Sequence, residues 1–152
     1  VVLAKVLGFD FVDADVLIQK KHGKLLRELI AEYGDDGFLQ IENDVNKEID
    51  LKNTVIATGG SVVYCDEAMQ HYVKNDIVVY IELPYGVIAS RLENVKRRGV
   101  VLKDGQTLKD LYNERILLYE KYAQITVKAE GLSVEELMDT IAEKVLAYEK
   151  TH

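Results

Sequence analysis

An α/β fold, built on a parallel sheet with helices on both of its faces, is what this sequence predicts. Three observations carry that prediction. Runs with strand character are separated by stretches of helical periodicity, the pattern of parallel strands joined by crossover helices. Two of the runs, Thr54-Val55-Ile56-Ala57-Thr58 and Ile77-Val78-Val79-Tyr80-Ile81-Glu82-Leu83, are nearly continuous in apolar residues, as strands covered on both faces are. The first run, Phe9-Asp10-Phe11-Val12, leads into Asp13-Ala14-Asp15, which puts two carboxylates where open α/β sheets bind their ligands, beyond the carboxyl end of a strand.

The elements follow in order. Residues 1–7 read as the second half of a helix closing on Gly8 in the left-handed conformation, and with no N-cap to open it a structural element is expected upstream. After the first strand come three helical patterns. One covers 15–22 and ends at Gly23. The next covers 24–33, with Leu25, Leu26, Leu29 and Ile30 on one face, and stops at Gly34. The third begins near Asp36 and sets Phe38, Ile41, Val45 and Ile49 at helical spacing. Asn53 introduces the strand at 54–58, which breaks at Gly59-Gly60-Ser61. A helix is expected over 66–75, then the strand at 77–83, stopped by Pro84, and a helix from Tyr85 to about Glu93. Residues 94–105 are basic, aperiodic and contain two glycines, which suits a lid. A helix over 107–122 and a short strand at 125–127 follow. Ser133 and Glu136 form a capping box that opens a last amphipathic helix reaching Tyr148. With no repeat, linker or low-complexity tract, residues 1–152 read as a single domain of four visible strands, one of which needs a central neighbour.

Composition narrows the function. A length of 152 residues suffices for one domain with a sizeable core. The net charge of −7 argues against a nonspecific nucleic-acid binder and against binding to anionic membranes, so an anionic ligand must be met by local basic clusters. No apolar run approaches the ~18 residues of a membrane span and no signal peptide is evident, so the expected location is cytoplasmic. The single cysteine, Cys65, suits a reducing compartment; it sits among apolar and turn residues with no local histidine and is not expected to be a nucleophile. His22, His71 and His152 form no metal-site or triad spacing. The nine tyrosines are scattered and read as core or amphipathic surface.

Spaced i, i+2 on a strand, Asp13 and Asp15 leave on the same side, where a carboxylate pair can hold a metal, orient a hydroxyl or take its proton. The bland reading makes Asp13 a strand-end polar residue and Asp15 the N-cap of the following helix.

Taken together, Leu3-Ala4-Lys5 with Leu7-Gly8, Asp13-Ala14-Asp15, Gly23, Gly34, Phe38, Glu42, Ala57-Thr58-Gly59-Gly60, Val78-Val79-Tyr80-Ile81, Arg98, and Arg115 ahead of Leu118-Tyr119 resemble the shikimate kinases, members of the phosphate-loop kinase group. The likeness runs in family order from Val1 to about Val127. It implies a cytoplasmic, monomeric, magnesium-dependent transferase of aromatic amino-acid biosynthesis, moving a phosphoryl group from ATP to a hydroxyl of shikimate or a related small polyol. It also implies a five-stranded sheet ordered 2-3-1-4-5 whose first, central strand and G-x-x-x-x-G-K-[ST] loop precede Val1; neither is in this sequence, the full polypeptide is expected to carry both, and a molecule that truly began at Val1 would not be expected to bind ATP usefully.

The resemblance carries roles to single residues. Asp15 is implied to hydrogen-bond the acceptor hydroxyl and take its proton, and Asp13 to hold Mg²⁺ through water. Gly59 and Gly60 are implied to let the backbone approach the substrate ring, and Arg115 to pair with the substrate carboxylate. Arg98, in a lid over about 94–105, is implied to close on the transferring phosphoryl, and Arg91 to flank the adenine. The plain readings are that Arg115 sits on a helix surface beside Glu114, that Arg91 is exposed, and that a basic loop is solvated.

Three departures from the family pattern stand out. Leu39 occupies the place of an arginine that completes the carboxylate clamp and pairs with Glu42, Ser61 replaces a third glycine, and Gly99-Val100-Val101 follows Arg98 in place of Pro-Leu-Leu. Losing one arm of a clamp weakens an anionic substrate by roughly 2–3 kcal/mol. Leu26, Ile30 and Phe38 still match the apolar wall of an acceptor pocket. Two alternatives stay open: a kinase of another acceptor, gluconate-like or a nucleotide, and a non-catalytic binding or regulatory module lacking the nucleotide loop.

Overall fold

A computed structural model describes residues 1–93 and 105–152. Helix α1 (Val2–Leu7) ends on left-handed Gly8 and feeds β1 (Asp10–Asp13), then α2 (Ala14–His22), which closes on left-handed Gly23. Helix α3 (Leu26–Asn46) contains a break at Gly34, with φ 73° and ψ 178°, so the two helical patterns of the sequence are consecutive arms of one kinked rod. Strand β2 (Thr54–Ala57) runs into a 3-10 turn (Gly60–Tyr64) and α4 (Asp66–Asn75). Strand β3 (Val79–Glu82) and α5 (Tyr85–Glu93) come before the undescribed stretch; α6 (Leu108–Tyr122), β4 (Ile125–Lys128) and α7 (Val134–Thr151) come after it. Thr107 and Ser133 open α6 and α7 with reciprocal capping boxes. The lid expected over 94–105 lies outside the described residues except for Gly105. Among the described residues no helix is long and apolar enough to cross a membrane.

The strands form two parallel pairs, β1 with β2 and β3 with β4. These are the two outer pairs of the expected 2-3-1-4-5 order, whose first, central strand is not in this sequence. Among the described residues each strand is paired on one side only. Strands β2 and β3 line a common cleft of about 1130 Å³, together with Phe9 and Phe11 near one end and Tyr112 and Tyr119 of α6. Strand β2 is half-buried throughout and Ile81 of β3 is 43% exposed; both strands line the cleft, where the expected order puts a central strand that is not in this sequence.

Three apolar clusters hold the elements. Ile18 of α2 packs with Leu29, Phe38 and Val45 of α3. Val62 and Val63 of the 3-10 turn pack with Ala68, Met69 and Tyr72 of α4 and Tyr122 of α6. Ile125 and Val127 pack with Ile141 and Val145 of α7, and Leu3 of α1 joins from the side. Helix α3 also carries a buried polar row, Glu42, Asn43 and Asn46. Asn43 Oδ1 accepts the Ala68 N–H at 3.1 Å and so caps α4, whose own N-cap, Cys65, offers no side-chain cap. Asn46 accepts from the Tyr72 hydroxyl at 2.6 Å and donates to the Glu42 carbonyl at 2.7 Å. This row ties α3 to α4 and sets the position of Glu42.

Candidate active site

Asp13 is the N-cap of α2: its Oδ1 accepts from the Asp15 N–H at 2.9 Å and the Val16 N–H at 3.3 Å. That corrects both sequence readings of the pair. The strand ends at Asp13, so Asp15 is placed by the first turn of α2 rather than by strand alternation, and the capping role belongs to Asp13. Asp15 is half-buried, and burial, helped by the neighbouring charge of Asp13, pushes its carboxyl above the ordinary carboxylate range. Among the described residues no group of three or more acidic, histidine or cysteine side chains is arranged to cage a metal.

Opposite Asp15, the chain turns at Gly59 and Gly60 between β2 and the 3-10 turn. A Cβ on Gly59 would come within 3.1 Å of both Asp15 Oδ1 and Glu42 Oε2, and one on Gly60 within 3.0 Å of Arg115 Nη1 and 3.1 Å of the Tyr119 hydroxyl. Gly59 has an ordinary φ of −69°, so it is space, not backbone conformation, that demands glycine here. Four side chains from α2, α3 and α6 thus converge on one two-residue turn. The Tyr119 hydroxyl donates to the Gly60 carbonyl at 2.9 Å and fastens α6 to it.

Glu42 is 1% exposed, and its Oε1 accepts from the Ser61 hydroxyl at 2.7 Å. The sequence expectation that Glu42 is left without a partner by Leu39 is therefore wrong; Ser61 supplies one. Burial, and to a lesser degree the charge of Asp15, raises its carboxyl to about 7, against the opposing pull of Ser61 and Arg115. A value above the ordinary 4.5 means that the folded state holds this proton more tightly. The contribution to stability is complete below about 4.5 and declines as pH rises towards 7, by about 3 kcal/mol in total. Urea unfolding at pH 5 and 7.5 is expected to show that decline in the parent and to lose most of it in Glu42→Gln. Equal declines in the two proteins would clear Glu42 as its source.

Arg115 reaches the turn from α6. Its guanidinium lies over the Tyr64 ring at 5.6 Å, and its Nε is buried with no hydrogen-bond partner. Among the described residues no carboxylate lies within ion-pair distance of it. Glu114, the neighbour in the plain reading, accepts from Gln106 instead at 2.8 Å. A half-buried cation with an unpartnered donor suits an anionic ligand.

The other sequence-named residues divide. Arg91 is exposed in the last turn of α5 and is not gathered with the Asp15–Glu42–Arg115 group. Arg98 lies outside the described residues. Phe38, Leu26 and Ile30 belong to the cluster between α2 and α3, with Phe38 only 6% exposed, which makes them packing first. Leu39 is half-buried against the cluster around Val62 and Tyr122, and its carbonyl accepts from Cys65 Sγ at 3.4 Å. Cys65 itself is buried and its thiol is pushed up to about 12 by burial, in keeping with an inert residue. Sequence reasoning missed Tyr64, Ser61 and Tyr119 as site residues. Tyr119 had a signal, since it follows Arg115 by four and so shares its helix face.

The chain is similar to known proteins over most of its length. A family model described as shikimate kinase matches residues 1–146. A shikimate kinase of Thermodesulfovibrio yellowstonii is 37% identical over 147 residues, covering 95% of this chain and 82% of the relative. A solved shikimate kinase from Acinetobacter baumannii, in complex with shikimate, superposes with a TM-score of 0.86 at 28% identity, over 96% of this chain and 83% of that one. The shikimate kinase of Aquifex aeolicus superposes with a TM-score of 0.79 at 26% identity, over 99% and 89%.

Proposed function

This chain belongs to the shikimate kinase family, and on that premise we propose that it transfers a phosphoryl group from ATP to a hydroxyl of shikimate. The observation that carries the reading is the convergence of Asp15, Glu42 and Arg115 on the Gly59–Gly60 turn. An acid-base group and a cation there face one small space, and phosphoryl transfer to an alcohol asks the protein chiefly for positioning and charge.

In this reading the ring of the acceptor lies against the glycine turn, where the absent side chains leave room for it. Arg115 pairs with the carboxylate of shikimate and orients the molecule, its ring-stacked guanidinium already half desolvated. Asp15 accepts a hydrogen bond from the reacting hydroxyl and takes its proton as the oxygen attacks; its raised affinity for protons suits a base working near neutrality. Bound Mg²⁺–ATP supplies the phosphoryl group and neutralises its charge. Asp13 is the residue suited to hold the metal's water, and Arg98 and Arg91 are the cations assigned to the nucleotide side, Arg98 over the transferring group and Arg91 beside the base.

The acceptor is tested through Leu39. Its half-buried position against the cluster around Val62 and Tyr122 puts an apolar side chain where the clamp of the family pattern has a second cation. With shikimate as the acceptor, Leu39→Arg is expected to add a second arm to the pair with the carboxylate and to lower the apparent KM about tenfold, the scale of 1.4 kcal/mol. A coupled ATP assay over shikimate and a panel of uncharged and anionic polyols, run on the intact protein and on Leu39→Arg, reads this out. Preferred turnover of an uncharged polyol, with KM unimproved in the variant, would replace shikimate with that acceptor.

A further inference from the structure

Two facing features of the site remain unexplained by the reaction itself. Glu42, a buried acid, and Arg115, a half-buried cation with an unpartnered Nε, reach adjacent glycines of one turn, yet no ion pair joins them. In a site of low dielectric such a pair attracts strongly, and a guanidinium and carboxylate ordinarily meet as a fork. The contact that occupies Glu42 instead is the 2.7 Å hydrogen bond from Ser61, the residue directly after the two glycines. The main chain of Glu42 is held separately by Asn46.

We propose that Ser61 is a positioning residue for acceptor specificity: its hydroxyl keeps the Glu42 carboxyl from pairing with Arg115 and so leaves that guanidinium for the anionic group of the acceptor. The two positions at which the sequence departs from the family pattern around the clamp, Leu39 and Ser61, both bear on Glu42. Leucine offers it no cation, and serine gives it a neutral partner in place of one. Among the described residues, the groups that face Glu42 are Asp15 from α2, Ser61 and Cys65 from the 3-10 turn and its end, Tyr72 from α4, and Arg115 and Tyr119 from α6. Only Arg115 among them is a cation, so it is the one group to which a released carboxylate is drawn.

The kinetic arm of the test rests on the shikimate kinase reading; the titration arm does not. In the intact protein Ser61→Ala is expected to raise the KM for shikimate about five- to tenfold with kcat within twofold and the KM for ATP unchanged. Ser61→Thr, which keeps the hydroxyl, is expected to restore the parental KM. Adding Glu42→Gln to Ser61→Ala is expected to recover most of the loss, because an amide cannot form the competing ion pair. In the absence of any substrate, the Glu42 carboxyl, followed by carbon NMR in glutamate-labelled protein, is expected to titrate lower in Ser61→Ala than in the parent, since pairing with Arg115 favours the charged form. A rise on losing the hydroxyl would show a carboxyl that merely lost a donor and would overturn the inference, as would an unchanged KM in an enzyme active on shikimate. If the parent fails to phosphorylate shikimate, the functional reading falls and the direction of the titration still decides the role of Ser61. Ser61→Gly removes the same hydroxyl and serves where the alanine variant does not fold.

Discussion

Asp15→Asn is expected to lower kcat for phosphoryl transfer by about 10²-fold or more, the scale on which a general base contributes. Asparagine keeps the size of the side chain and can still meet the acceptor hydroxyl, but it cannot take the proton. The fold is expected to survive, because the helix start depends on the capping Oδ1 of Asp13 and not on the Asp15 side chain. Removing one of two neighbouring negative charges also relieves the repulsion between Asp15 and Asp13. The KM for ATP should stay within a few-fold of the parent. Steady-state kinetics on the intact protein, alongside a thermal unfolding curve, separates lost chemistry from lost structure. Near-normal kcat in a folded variant would take Asp15 out of the reaction and leave it as a first-turn helix residue.

Arg115→Ala is expected to raise the KM for shikimate about 10²-fold, equivalent to about 2.8 kcal/mol and within the range of charge-assisted hydrogen bonds. The effect should be large because Arg115 is the one cation the described structure brings to the glycine turn, Leu39 having left the clamp with a single arm. Stability should change little, since no ion pair of Arg115 is broken and what is lost is its stacking on Tyr64. Calorimetric titration of shikimate and of its uncharged analogue completes the test. If the two lose affinity equally, Arg115 shapes the pocket without reading the carboxylate.

The elements of this fold were legible because their signals are local. Gly8 and Gly23 end helices in the left-handed conformation where an L side chain is disfavoured, and Ser133 with Glu136 and Thr107 with Asp110 satisfy orphan N–H groups within one turn. The order of strands and helices, and the neighbours β1–β2 and β3–β4, followed from crossover connectivity and from the family pattern. Harder to read were features where one segment completes another. The cap of α4 comes from Asn43 on α3, and neither the residue before α4 nor any local motif announces it. The Gly34 break, by contrast, was legible: the two helical patterns read on either side of it are two helical arms separated by a residue at φ 73°.

The site divides in the same way. By itself the sequence determined the candidates: Asp13 and Asp15 at the end of a strand are marked by their spacing, and the glycine pair after another strand and Arg115 on a late helix by the family resemblance. Only the tertiary structure decided what those residues face. Ser61 lies nineteen positions from Glu42 and hydrogen-bonds it at 2.7 Å, Tyr64 lies beneath the guanidinium of Arg115, and Tyr119 grips the carbonyl of Gly60 from fifty-nine positions away. The physical reason is range. Caps and periodicity act within a turn or two of the chain, whereas the desolvation that lifts Glu42 to about 7, and the contact that gives it a partner, exist only once α3, the glycine turn and α6 have packed together.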